Sequence, residues 1–145
     1  MELISYLTEQ QERLIDSLTE LLKTVGTIPP DKTMDKIVNI NQGLTAHVKI
    51  EEDLLISQVA GTDKCGNVVE KFQKSKNELL EEIGQLTQVH IDEPDFAHSL
   101  GKLLTVAQNY KAFDEQLFAK VKHCLSQDKL KEINSAPLPD APKKP

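Results

Sequence analysis

At 145 residues the chain has the length of one domain, long enough to bury a core. Its formal net charge of -6, with no Lys/Arg-rich run, argues against nucleic acid, whose binding is dominated by phosphate neutralisation, and against an anionic membrane surface. No apolar run approaches a membrane span, and the opening MELISYLTEQQERL lacks the positive region and apolar stretch of a signal peptide, so a cytoplasmic protein is expected.

The composition is that of a helical protein, rich in Leu, Glu, Lys, Gln and Asp and without Trp. At about 100° per residue, Ile4, Leu7, Leu14, Ile15, Leu18, Leu22 and Val25 form one stripe of a first helix, and Gln11 lies within it. Gly26 to Pro30 (GTIPP) ends that helix, since Pro cannot sit in a helix interior. Ile37, Ile40, Leu44, Leu54 and Leu55 mark a second helix, with His47 and Glu51 between them. It ends at Gly61-Thr62-Asp63. Gly66 blurs the start of a third helix, in which Val69, Phe72, Leu79, Leu80 and Ile83 flank Lys76. After the break His90 to Pro94 (HIDEP), Leu100, Leu103, Ala107, Leu117, Phe118 and Val121 form the stripe of a fourth, flanking Tyr110 and Asp114.

Ser126 reads as the N-cap of a short last helix, QDKLKEIN. The tail Ala136 to Pro145 carries four prolines and is expected to be disordered or extended. The four patterns run about 23, 28, 25 and 30 residues, lengths normal for an up-down bundle. No alternation suggests a strand. The fold expected is all-α: an up-down-up-down four-helix bundle over residues 1–135 with a short C-terminal helix, then a Pro-rich tail over 136–145. Cys65 and Cys124 show no CxxC spacing and read as free thiols in a reducing cytoplasm. His98 and His123 fall on an outer face, and His90 sits at a helix end.

The polar residues inside the stripes are the candidate site. Gln11, His47 with Glu51, Lys76, and Tyr110 with Asp114 point at one bundle centre, which is how helix bundles build internal sites. His47 and Glu51, like Tyr110 and Asp114, are four apart and so share a helix face. The two segments echo each other: His47-Val-Lys-Ile-Glu51-Glu-Asp-Leu-Leu against Tyr110-Lys-Ala-Phe-Asp114-Glu-Gln-Leu-Phe.

This arrangement resembles the hemerythrin-like, or HHE cation-binding, family over about 125 residues, nearly everything but the tail. Glu9-Gln10-Gln11-Glu12-Arg13-Leu14, Ala46-His47-Val48-Lys49-Ile50-Glu51-Glu52, Ser75-Lys76-Asn77-Glu78-Leu79 and Asp114-Glu115-Gln116-Leu117-Phe118 carry it. The resemblance implies a bundle core holding two irons on His and carboxylate ligands. At those slots His47, Glu51 and Asp114 keep ligand chemistry. Gln11, Lys76 and Tyr110 offer no imidazole, whereas such an iron site needs several. A lysine ammonium has no lone pair to donate.

The expectation is therefore a degenerate site without a cofactor. Lys76 would take the cation's electrostatic role in a buried network of Gln11, His47, Glu51, Lys76, Tyr110 and Asp114. Glu51 and Asp114 would otherwise cost several kcal/mol per ion as unpaired buried charges. The function expected is a non-enzymatic binding, sensory or scaffold module for an unidentified protein partner. The alternative is an altered non-haem iron or other metal-binding protein in dioxygen or iron sensing, storage or transport, with His47, Glu51, Asp114 and a Tyr110 phenolate as ligands. No nucleophile–base pair, phosphate loop or cofactor fingerprint marks an enzyme.

Overall fold

Backbone chemistry sets the boundaries between the helices. In a computed structural model of the chain, residues 2–62 and 65–138 are described, and these are helical or connecting, with no strand among them. The first helix, α1, spans Leu3–Thr24 and stops where Val25 turns extended and Gly26 takes a φ of 87°, a left-handed conformation that favours glycine. Helix α2, Pro30–Glu51, opens with proline at its first position, where the missing N–H has no helical partner to lose.

The second helical run then changes character. Residues Glu52–Ile56 form a π-helical turn, followed by a last α-turn, α3, at Ser57–Val59. A π turn holds more residues per turn than an α turn, so it rotates everything beyond it. As a result Leu55, Ile56 and Val59 are buried, while Leu54, expected in the stripe, is only partly buried. Helix α4 covers Val68–Gln88 and α5 covers Asp95–Cys124. The short α6, Gln127–Asn134, is capped as the sequence implied: Ser126 Oγ accepts the Lys129 N–H at 3.1 Å.

Helix α1 packs on α2 and α5, α4 packs on α5 and α2, and α6 rests on α1. The four long helices thus enclose one core, to which α5 contributes the whole expected stripe from Leu100 to Val121. Gly43 allows α1 and α2 to approach closely, since a Cβ there would stand 2.6 Å from Leu14 Cδ2. Gln10 and Gln11 lie one turn before Leu14 and His47 one turn after Gly43, so this approach brings them together.

One expectation needs correction. Cys65 and Cys124 are not free thiols: they form a disulfide across a sequence separation of 59, with Cα atoms 5.2 Å apart. The end of α5 lies beside the segment leading into α4, a proximity that sequence spacing does not contain. Persistent disulfides belong to oxidising surroundings, so the pair removes one support for a reducing compartment. In the tail, Leu138 packs against the core; residues 139–145 of the expected disordered segment lie outside the described residues. Among the described residues, no helix is long and apolar enough to cross a membrane.

Candidate metal centre

Helix geometry assembles the site in pairs. His47 and Glu51 stand one turn apart on the inner face of α2, and Tyr110 and Asp114 do the same on α5. Helix α1 adds Gln10 and Gln11, both buried. His47 is 1 % exposed, and Glu51 and Asp114 are 0 % exposed. One ligand atom from each of these three lies within 4.8 Å of the others. His47 Nε2 is 3.4 Å from Glu51 Oε1 and 3.7 Å from Asp114 Oδ2.

Hydrogen bonds orient the imidazole. Gln10 Oε1 lies 2.8 Å from His47 Nδ1, and a carbonyl oxygen only accepts, so this contact is a hydrogen bond in the tautomer protonated at Nδ1. His47 Nε2 is then a lone-pair acceptor, and Gln11 Nε2 donates to it at 3.0 Å and also to Asp114 Oδ2. Tyr110 Oη donates to Glu51 Oε1 at 2.7 Å. Its ring meets His47 edge-on at 5.9 Å and Phe72 at 6.4 Å between centroids. Within this site Gln10 Nε2, Glu51 Oε2 and Asp114 Oδ1 are buried without a hydrogen-bond partner.

Burial dominates the electrostatics. It pushes the Asp114 carboxyl up to about 11, and the neighbouring Glu51 carboxyl adds to the shift. Burial beside Glu51 thus favours the protonated, neutral form of the Asp114 carboxyl. The Tyr110 hydroxyl is likewise held far above its usual range, first by burial and then by Glu51 and Asp114. In this arrangement the hydroxyl is a neutral donor to Glu51.

Of the six residues expected to share a network, the structure brings together Gln11, His47, Glu51, Tyr110 and Asp114. Lys76 goes elsewhere. Its Nζ pairs with Glu52 Oε2 at 2.6 Å, and Gln73 Nε2 donates to the same oxygen at 3.2 Å. The side chains of Lys76 and Glu52 are 19 % and 36 % exposed, so the pair sits at the edge of the core. The Lys76 hydrogen bond holds the Glu52 carboxyl below the usual carboxylate range. The reason is local: Glu51 and Glu52 are about 100° apart on the helix, and Lys76 meets the outer one. The buried carboxyl groups are not hydrogen-bonded to Lys76.

Gln10 is the participant that the wheel missed. Its neighbour Gln11 lies on the stripe, and Gln10 sits at the stripe's edge, yet both are buried. Two consecutive amides on the otherwise apolar inner side of the helix were the available signal. His98 and His123 are exposed, as expected, and the ring of exposed His90 accepts the Asp92 N–H at 3.2 Å.

An imidazole nitrogen facing two carboxyl groups has the donor chemistry to hold a metal ion. Bonds of about 2.1 Å to one ion would place neighbouring ligand atoms roughly 3.0–3.5 Å apart, close to the separations around His47 Nε2. The second oxygen of each carboxyl group, Glu51 Oε2 and Asp114 Oδ1, is buried without a hydrogen-bond partner. The residues present therefore suit one ion. Comparison of the chain with protein-family models, curated proteins and solved structures finds no match.

Proposed function

We propose that the chain is an up-down-up-down four-helix bundle of hemerythrin-like layout whose centre binds one metal ion through His47, Glu51 and Asp114, and that it works as a non-enzymatic metal-binding or metal-sensing module. One observation carries this reading. Two fully buried carboxyl groups stand beside one histidine nitrogen, with Glu51 Oε1 at 3.4 Å and Asp114 Oδ2 at 3.7 Å from His47 Nε2, and the other oxygen of each has no hydrogen-bond partner. With both carboxyl groups ionised such a pair would cost several kcal/mol, and a cation would offset that cost. Lys76, the internal candidate for that role, is engaged with Glu52.

A bound ion would supply positive charge at the carboxyl groups and so favour loss of the proton on Asp114. His47 offers Nε2 while Gln10 holds the proton on Nδ1. Tyr110 keeps Glu51 oriented through its hydroxyl. A single imidazole is too few for the family's two irons, which supports one ion instead.

The test is elemental analysis of protein made with iron supplied, and again after reconstitution with Fe(II) or Zn(II), with an absorption spectrum of each. About one ion per chain, lost in His47→Ala and Asp114→Ala, is expected. No metal in any preparation would sink the reading and leave the second one. That second reading is a metal-free bundle with a protein partner. It is favoured by the hydrogen bonds that Gln11 and Tyr110 already give the carboxyl groups.

A further inference from the structure

We propose that the adjacent amides Gln10 and Gln11 decide what this centre takes: Gln10 is a positioning residue that locks the His47 tautomer, and Gln11 turns its amide oxygen inward as a fourth ligand, so that the site holds a single hard divalent cation on one nitrogen and three oxygens. The inference rests on the metal-centre reading above.

Gln10 makes one hydrogen bond through its side chain, to His47 Nδ1, and its other end, Nε2, is buried without a partner. A buried amide left half-satisfied to hold one ring proton is positioned for that proton. The proton on Nδ1 leaves Nε2 with its lone pair aimed at Glu51 and Asp114, the form a metal requires.

Gln11 occupies the remaining side. Its terminal nitrogen bonds both His47 Nε2 and Asp114 Oδ2, two of the three ligand atoms. As a donor it satisfies those lone pairs. The two ends of a carboxamide have nearly the same shape, so a half-turn about the last side-chain bond presents the oxygen at the same place. The donor set becomes one imidazole nitrogen with carboxyl and carbonyl oxygens. Oxygen-rich sets of this kind suit Mn(II), Mg(II) or Fe(II) better than thiophilic ions. Both cysteines are tied in the disulfide and lend no thiolate. Among the described residues no second group of three or more His, Cys, Asp or Glu side chains gathers to hold another ion.

The experiment titrates the full chain, disulfide intact, with Mn(II), counting bound ion from the loss of the free-ion electron paramagnetic resonance signal. The His47 ring nitrogens are read by 15N NMR on the chelator-treated protein. The parent should bind one Mn(II) and show a single tautomer, protonated at Nδ1. Gln10→Leu should weaken binding about 10–100-fold and mix the two tautomers. Gln11→Leu should weaken binding by a similar factor, and Gln11→Glu, which keeps an oxygen of the same shape, should bind at least as tightly as the parent. The glutamate variant and the parent's tautomer decide the matter even if a leucine variant does not fold. Unchanged affinity in Gln11→Leu, or lost affinity in Gln11→Glu, overturns the fourth ligand. A parent protonated at Nε2, or an unchanged tautomer in Gln10→Leu, overturns the role of Gln10. Two Mn(II) per chain overturns the single ion. In each of those cases the metal centre itself survives. A parent that binds no Mn(II), Fe(II) or Zn(II) overturns both the centre and its ligands.

Discussion

Lys76 closes on Glu52 at 2.6 Å, one residue beyond the buried Glu51 it was expected to neutralise. The pair is partly exposed, and partly exposed ion pairs contribute little because water screens them. Lys76→Met should therefore cost about 1 kcal/mol or less in urea unfolding at neutral pH, not the ~3–5 kcal/mol of a broken buried pair. The Glu52 carboxyl is lowered in the fold, so the small contribution is present above about pH 4.5 and fades as pH falls below it. A loss of several kcal/mol would put Lys76 back in the centre.

Asp114 predicts an unusual pH profile. Its carboxyl is raised in the fold to about 11 from 3.8, so between those values the native state holds a proton that the unfolded chain releases. The stability this proton contributes is complete below about pH 3.8 and is lost as pH rises toward 11. Chelator-treated protein should lose stability as pH rises out of the acid range, and Asp114→Asn should flatten that slope. Parallel profiles for parent and variant would refute the buried neutral acid.

Tyr110→Phe removes the donor to Glu51 Oε1 at the centre of the core. An orphaned buried acceptor costs about 1–3 kcal/mol. The melting temperature of chelator-treated protein should fall accordingly, and added metal should recover part of the loss, because a cation also satisfies that oxygen. An equal loss with and without metal would separate Tyr110 from the metal centre.

The disulfide makes its own prediction. Cross-linking across 59 residues restricts the unfolded chain by about 4 kcal/mol in the loop-entropy account. Cys65→Ser with Cys124→Ser should lower stability by roughly 2–4 kcal/mol. Protein purified without reductant should show no reactive thiol under denaturing conditions. Two reactive thiols would restore the free-cysteine expectation and the reducing compartment with it.

How much of the site was legible depended on the range of the interactions that build it. Tyr110 and Asp114 were readable because α5 runs uninterrupted from Asp95 to Cys124, so a constant rotation per residue places every side chain correctly. His47 and Glu51 were readable for the same reason. The wheel failed at Leu54, where the π turn after Glu51 changes that rotation without a Gly or Pro to announce it. It also failed for Gln10, whose burial depends on how closely Gly43 lets Leu14 approach.

By itself the sequence determined the local quantities: four long helical runs, their breaks at Gly26 and Pro30 and around Pro94, the Ser126 cap, and the polar residues Gln11, His47, Glu51, Tyr110 and Asp114 on the inner faces of α1, α2 and α5. These follow from backbone sterics and helical periodicity, which act over a few residues. Only the tertiary structure decided the pairings: Lys76 with Glu52, Gln10 with His47, Cys65 with Cys124. Each joins residues more than 20 positions apart, and periodicity fixes direction around one helix, not the distance to the next.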